Sequence, residues 1–451
     1  MTQMIKQKLS DSKAARWTAL LIVSFTMMCT YFITDVAAPL EDLLTKSVEE
    51  KGLGLWSGDE YGLFSGAYGY INVFLLMLFF GGIILDKMGI RFTGLMSCIC
   101  MLGGTLIKWY ALYGDFGTTE IFGTVYHTSA LLAALGFAIF GVGAEIAGIT
   151  VTKIIAKWFT GHEMALAMGL QVAMARIGTA AALGCSLPFA KFFDNVSAPI
   201  LLGVGLLCIG LISYIIYCIM DKKLDASCEK TDKSSNDEEF RFSDIKFILS
   251  NKGFWLIALL CVLFYSGVFP FLKFATKFMI CKYEVSDDLA GLIPAMLPFG
   301  TILLTPLFGA VYDRIGKGAS LMIIGSVMLA VVHVLFALPF LDAEWFAVLV
   351  MILLGIAFSL VPSAMWPSVP KIIPMKQLGT AYAIIFYIQN IGLSLVPVMI
   401  GKMIPENATA GDYQLPMTIF AAFGFISIGI AVLLKYVDKR KGYGLELPNE
   451  K

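Results

Sequence analysis

A helix needs about 20 consecutive apolar residues to cross a hydrocarbon layer roughly 30 Å thick, and this chain supplies twelve such runs. They fall near 17–40, 61–85, 92–112, 129–156, 164–190, 198–220, 253–280, 288–312, 319–340, 345–370, 377–402 and 414–436. That pattern fits a lipid solvent. Composition agrees, with 58% of residues hydrophobic and 15% charged, against roughly 25% charged in soluble proteins. The expected fold class is an all-α membrane protein of twelve transmembrane helices, with the lipid bilayer as its first partner.

Several function classes fall away. Net charge is zero and no basic stripe or nucleic-acid-binding signature occurs, so nucleic acid has no footprint. The nine cysteines (Cys29, Cys98, Cys100, Cys185, Cys208, Cys218, Cys228, Cys261, Cys281) lack a C-x-x-C pair and read as small apolar residues. His127, His162 and His333 are far apart, and no nucleophile elbow, zinc helix or phosphate-cradling loop is present. Neither an enzyme nor a cofactor nor a metal is expected. Lys6, Lys8, Lys13 and Arg16 precede the first apolar run without a cleavage motif, which reads as a retained span and not a signal peptide.

The longest polar interval, 221–252, separates six runs from six. The expected domains are an N-terminal bundle over 1–220, a cytoplasmic linker over 221–252 and a C-terminal bundle over 253–451. Placing the N-terminus inside puts 24 of the 33 Lys and Arg residues in the termini, the alternate loops and the run ends that meet them, against five in the opposite loops and their run ends. Both ends and the linker are thus expected on the cytoplasmic side.

The two halves share a signature. Gly82-Ile-Ile-Leu-Asp86-Lys87-Met-Gly89-Ile-Arg91 closes the second run, and Gly309-Ala-Val-Tyr-Asp313-Arg314-Ile-Gly316-Lys317 closes the eighth. Two copies of G-x-x-x-D-[KR]-x-G at equivalent places argue for an internal duplication, the architecture of a two-bundle carrier with substrate held near midplane. The glycines permit a tight turn between helices, and each aspartate can face the positive N-terminal end of a helix from the other half, closing the cytoplasmic side.

This paired signature resembles that of the major facilitator superfamily. Gly141-Val-Gly-Ala-Glu145, Gly169-Leu-Gln171 through Arg176-Ile-Gly178, and Trp366-Pro367 through Tyr382 to Tyr387-Ile-Gln389-Asn390-Ile-Gly392 are similar to the branch of that family containing the animal lysosomal dipeptide transporter. Tyr31 through Asp35 to Pro39 and Phe269-Pro270-Phe271 fit the branch less specifically. The resemblance implies two pseudo-symmetric six-helix bundles, the major facilitator fold. It departs in two places. Many superfamily members carry an arginine where this chain has Phe137, so proton coupling through that arginine is not available. The fifth run has Gly184-Cys-Ser-Leu-Pro188 in place of the G-x-x-x-G-P pattern of drug antiporters.

Ionisable residues inside spans mark candidate sites, because a charge at the bilayer centre costs at least about 2.5–3.5 kcal/mol without a partner or a wet cavity. Glu145 and Arg176 lie on consecutive antiparallel runs, each roughly 22–24 Å from the intervening cytoplasmic turn at about 1.5 Å rise per residue. They read either as a buried ion pair ordering the bundle or, preferred here, as complements for the ammonium and carboxylate of a zwitterion. Asp35 reads as a polar helix end or as a proton or amine site at the outer mouth. Lys273 and Lys277 read as snorkelling lysines or as lining of that mouth, and Lys108 as a snorkelling anchor. Trp366, Tyr382, Gln389 and Asn390 suit an amphipathic ligand, with helix packing as the alternative for the tryptophan. Pro270, Pro294, Pro298 and Pro306 are expected to bend or open their helices.

The expectation is a carrier of small zwitterions, most of all dipeptides, working by alternating access as a facilitated uniporter. The alternatives are an organic-anion, carboxylate or proton-coupled exchanger, and a transport-inactive receptor or partner subunit. A homodimer or an accessory subunit is left open. Short loops and the lack of a clear acidic dileucine signal favour a bacterial inner membrane over a lysosome, the lysosomal membrane being expected if the chain is eukaryotic. The sequons at Asn195 and Asn407 do not decide compartment.

Overall fold

A computed structural model describes residues 12–40, 43–44, 53–114, 116–121, 123–228, 242–285, 292–401, 403–404 and 409–449. Asn407 and the polar stretch 230–240 of the linker lie outside the described residues. The helices are α1 (Lys13–Asp35), α2 (Gly58–Phe74), α3 (Met77–Tyr113), α4 (Thr128–Phe159), α5 (Met164–Phe192), α6 (Ala198–Cys228), α7 (Phe242–Ser250), α8 (Lys252–Tyr283), α9 (Leu292–Ile315), α10 (Gly318–Ala337), α11 (Glu344–Ile372), α12 (Leu378–Gly401) and α13 (Gln414–Lys441). Among the described residues, eleven helices are long and apolar enough to cross a membrane.

The second expected crossing explains why eleven and not twelve. Its helix breaks at Leu75–Leu76, where Leu76 takes a left-handed φ of 54°. The inner part then runs into the third crossing as one element, α3, turning only at Gly89 with φ 78° and ψ 170°. A side chain at that φ would be strained, so the last glycine of the signature is what allows two crossings to join without a loop. Gly316, its counterpart in the second copy, has φ 71°. The linker also differs from a plain polar interval: α6 extends to Cys228 and α7 forms over Phe242–Ser250. Helices α8 and α9 continue through Pro270 and through Pro298 and Pro306, respectively.

Two compact units are present, Met1–Trp158 with Met174–Glu239, and Phe159–Ala173 with Phe240–Lys451. The first ten residues of α5 therefore belong with the second unit. In the first unit α1 and α3 pack on α6. Helices α3 and α4 approach closely because glycines face backbone: a Cβ on Gly104 would lie 2.4 Å from the Phe140 nitrogen, and one on Gly136 2.6 Å from the Gly104 carbonyl. In the second unit α10 packs on α11 and α13, α9 on α11, and α8 on α12 and α13. An aromatic core of Phe271, Phe278, Phe336 and Phe420 encloses the buried His333, whose Nε2 lies 2.7 Å from the Gly267 carbonyl.

A small antiparallel hairpin, β1 (Thr118–Ile121) and β2 (Thr124–His127), interrupts the all-helical pattern before α4. It is tied to α2. Ser57 and Glu60 form a capping box at the start of α2, and Glu60 also accepts from the His127 backbone at 2.5 Å and pairs with His127 Nδ1 at 2.9 Å. Burial alone would raise the Glu60 pKa, but the donors from Ser57 and His127 outweigh it and hold the carboxyl below its ordinary value. A depressed folded pKa contributes stability above the unfolded value that is lost as pH falls through the folded one. We expect the protection of the His127 amide, its exchange relative to an unstructured amide at the same pH, to hold from neutral pH down to the ordinary glutamate range and to fall only below it. Glu60→Ala, which removes the acceptor, should lower that protection at every pH, and unchanged protection in that variant would refute the tie.

Candidate functional site

In the first unit Asp35, Lys108, Glu145 and Arg176 act on a common set of aromatic side chains and on one another. Glu145 on α4 accepts a hydrogen bond from the Tyr68 hydroxyl of α2 at 2.9 Å. That contact rests on another close approach, since a Cβ on Gly141 would lie 2.2 Å from the Tyr68 carbonyl. Arg176 on α5 sets its guanidinium carbon 5.8 Å from the centre of the Tyr31 ring, within cation–π range. Gly178, two residues on, lets α5 meet α1: a Cβ there would lie 2.1 Å from the Met28 carbonyl. Tyr31 feels the charges of Arg176, Glu145 and Asp35 together, and Arg176 and Lys108 both act on Asp35. Asp35, Glu145 and Arg176 are half-buried.

Lys108 departs from its expected role. It is 0% exposed, so it does not snorkel to a surface. Its ammonium bonds the Ile33 carbonyl near the end of α1 at 3.4 Å and lies 4.4 Å from the Phe137 ring centre and 5.1 Å from that of Phe64. The physical reason is the face it occupies. Met101, Gly104, Thr105, Lys108 and Ala111 form one buried stripe of α3, and a lysine there must find its partners inside the unit. Phe137, the position where many superfamily members carry arginine, thus has a cation over its ring, supplied by the neighbouring helix.

In the second unit Trp366 sits in an aromatic group. Its indole N–H donates to the Tyr265 hydroxyl at 3.0 Å, its ring stacks on Phe386 at 4.8 Å, and its carbonyl accepts from the Tyr382 hydroxyl at 3.1 Å. Gln389 is buried and its Oε1 accepts from the Cys261 thiol at 3.3 Å, while Asn390 is half-buried. The side chains of Lys273 and Lys277 on α8 lie outside what the structure describes. Sequence alone does not point to Tyr68, Tyr265 or Phe386, and it gives Lys108 only as a snorkelling anchor.

Both repeated loops are tied to their surroundings by charged groups. Asp86 pairs with Lys153 of α4. Arg91 reaches Asp221 at 3.3 Å and Asp225 at 2.8 Å, and Lys157 meets both carboxylates at 2.8 Å. Asp313, buried at the end of α9, accepts from the backbone N–H groups of Ala165 at 2.9 Å and Leu166 at 2.7 Å, the first turn of α5. Gly309 permits this, because a Cβ there would lie 2.4 Å from the Ala165 carbonyl. Lys87 and Arg314 are exposed.

Long apolar helices with a duplicated loop signature and polar groups held within the spans define a multi-pass membrane transporter. The Major Facilitator Superfamily model matches residues 20–397 and 278–450, and the chain belongs to that family. It is 28% identical to the lysosomal dipeptide transporter MFSD1 of Bos taurus over 97% of this chain and 89% of that one. The Homo sapiens protein of the same name is 28% identical, with 96% and 88% covered, and the Gallus gallus protein 30% identical, with 74% and 78% covered. Among solved structures, the proton:xylose symporter XylE bound to 6-bromo-6-deoxy-D-glucose superposes with a TM-score of 0.71 at 14% identity, covering 97% of this chain and 98% of that one. This last likeness is one of fold.

Proposed function

We propose that the chain carries dipeptides, or zwitterions of similar size, by alternating access as a facilitated uniporter. The observation that carries this reading is the gathering of Glu145, Arg176 and Asp35 around Tyr31 and Tyr68 in one unit. An acid and a guanidinium together complement both ends of a zwitterion, and the guanidinium can grip a carboxylate through two parallel N–H bonds. The names of the relatives favour the same substrate class. Trp366, Tyr382, Gln389, Asn390 and Lys273 are proposed to serve the ligand from the C-terminal bundle, 253–451, which moves against the N-terminal bundle, 1–220, on the linker 221–252. Asp86 and Asp313 are the proposed gating carboxylates. Loop charge supports cytoplasmic termini; the bacterial membrane favoured by short loops draws no support from relatives that are lysosomal by name.

Uptake by purified protein in proteoliposomes tests this. A dipeptide panel should be taken up down its gradient while dicarboxylates are not, and uptake of dicarboxylates alone would overturn the reading. Proton coupling is favoured by one observation, the buried Lys108 acting on Asp35. Under that second reading a protonophore abolishes accumulation; under uniport it changes nothing.

A further inference from the structure

The segment that follows α13 turns back on the second unit. Gly442 at φ 70° and Gly444 at φ 81° make the reversal, a backbone region glycine enters without strain. Leu445 is then fully buried, its N–H donating to Asp438 at 3.1 Å and its carbonyl accepting from Gly318 at 2.9 Å. Glu446 accepts from the Lys317 N–H at 3.0 Å through its carbonyl, and its carboxylate caps the start of α10 through Ser320 N and Oγ, both at 2.9 Å. Lys371 donates to the carbonyls of Gly444 at 3.1 Å and Leu447 at 2.7 Å. The strap lies so close under the signature loop that a Cβ on Gly316 would be 2.6 Å from the Glu446 carbonyl.

Its last described residue reaches the loop's aspartate. Asn449 Nδ2 donates to Asp313 Oδ1 at 2.7 Å, and the Asn449 N–H donates to the Asp313 carbonyl at 3.1 Å. Oδ1 is also the oxygen that accepts from Ala165, while Oδ2 takes Leu166. One carboxylate is therefore shared between the first turn of α5 and the strap. We propose that Asn449 is a positioning residue for transport: anchored by Leu445 and Glu446, it fixes the Asp313 carboxylate in the orientation that receives both α5 amides. This rests on the reading of Asp313 as a gate. A carboxylate already oriented by one donor has less rotational freedom to lose on meeting the others, so the strap biases the cycle toward the gate-closed arrangement. Its effect should fall on the rate of the conformational step, since Asn449 is placed in the loop's hydrogen bonds and not among the proposed substrate groups.

Amide hydrogen exchange on the purified full chain, without substrate, tests the idea. Asn449→Ala should raise exchange at Ala165 and Leu166 about tenfold while Gly318, which reports the strap itself, stays protected. Asn449→Gln, which keeps the carboxamide, should recover at least part of the protection. Unchanged exchange at Ala165 and Leu166, or equal loosening there and at Gly318, would overturn the positioning role, the latter leaving only a structural strap. Uptake of alanyl-alanine by Asp313→Asn separates the two readings: wild-type uptake would sink the gate, whereas the exchange data decide on Asn449 by themselves.

Discussion

Glu145→Gln is expected to reduce dipeptide uptake about 10- to 150-fold with little loss of stability. A hydrogen bond to a charged group contributes about 1.5–3 kcal/mol, and each 1.4 kcal/mol is a tenfold change in affinity. The substitution isolates charge from shape. A glutamine keeps the side-chain oxygen that accepts from the Tyr68 hydroxyl, and it is nearly isosteric with glutamate. What it loses is the negative charge proposed to receive a substrate ammonium. Arg176→Lys should show a comparable fall for the other end of the ligand, because a lysine retains the cation over Tyr31 but not the planar fork. Uptake and thermal unfolding measured together discriminate the outcomes. Intact uptake in Glu145→Gln rules out the amine-binding role, and a collapse of stability in both variants returns the pair to a purely structural ion pair.

Gly104→Val should destabilise the first unit by about 1–3 kcal/mol or more, the usual cost of overpacking, and abolish transport with it. The added carbons would meet the Phe140 nitrogen and the Gly136 carbonyl, both backbone, which cannot rotate aside. Helices α3 and α4 would have to separate. Lys108 sits one turn further along the same face of α3 and Phe137 one turn back along α4, so the ammonium and its ring would part. The neighbouring Gly103 makes the control, because a Cβ there meets nothing within 4 Å. Gly103→Ala should unfold no earlier than the wild-type protein in detergent. Equal melting of Gly104→Val and wild type would show that the two helices are not in contact as described.

Crossing helices were legible from sequence because hydrophobic length alone specifies them, and the paired glycine and aspartate loops were legible because they occur twice. The break at Leu75–Leu76 was not, since neither glycine nor proline marks it and the apolar run continues unbroken through it. The hairpin at 118–127 offered only short, exposed strands around Gly123, a weak signal beside that of a span. For Lys108 the sequence does carry a signal. Met101, Gly104, Thr105 and Ala111 flank it at helical spacing, and small residues on one face of a membrane helix point toward other helices. Nothing in the sequence could assign Asn449 to Asp313, because that contact joins residues far apart along the chain through a turn set by two glycines.

The continuity of α3 also bears on how the chain enters the bilayer during synthesis. Its 37 residues would span about 55 Å as a straight rod at 1.5 Å per residue, well beyond the hydrocarbon thickness. With Gly89 as the turn, its two arms form a helical hairpin, an arrangement in which the second and third crossings can enter the bilayer together. The second crossing, interrupted at Leu75–Leu76, would then enter as the partner of the third.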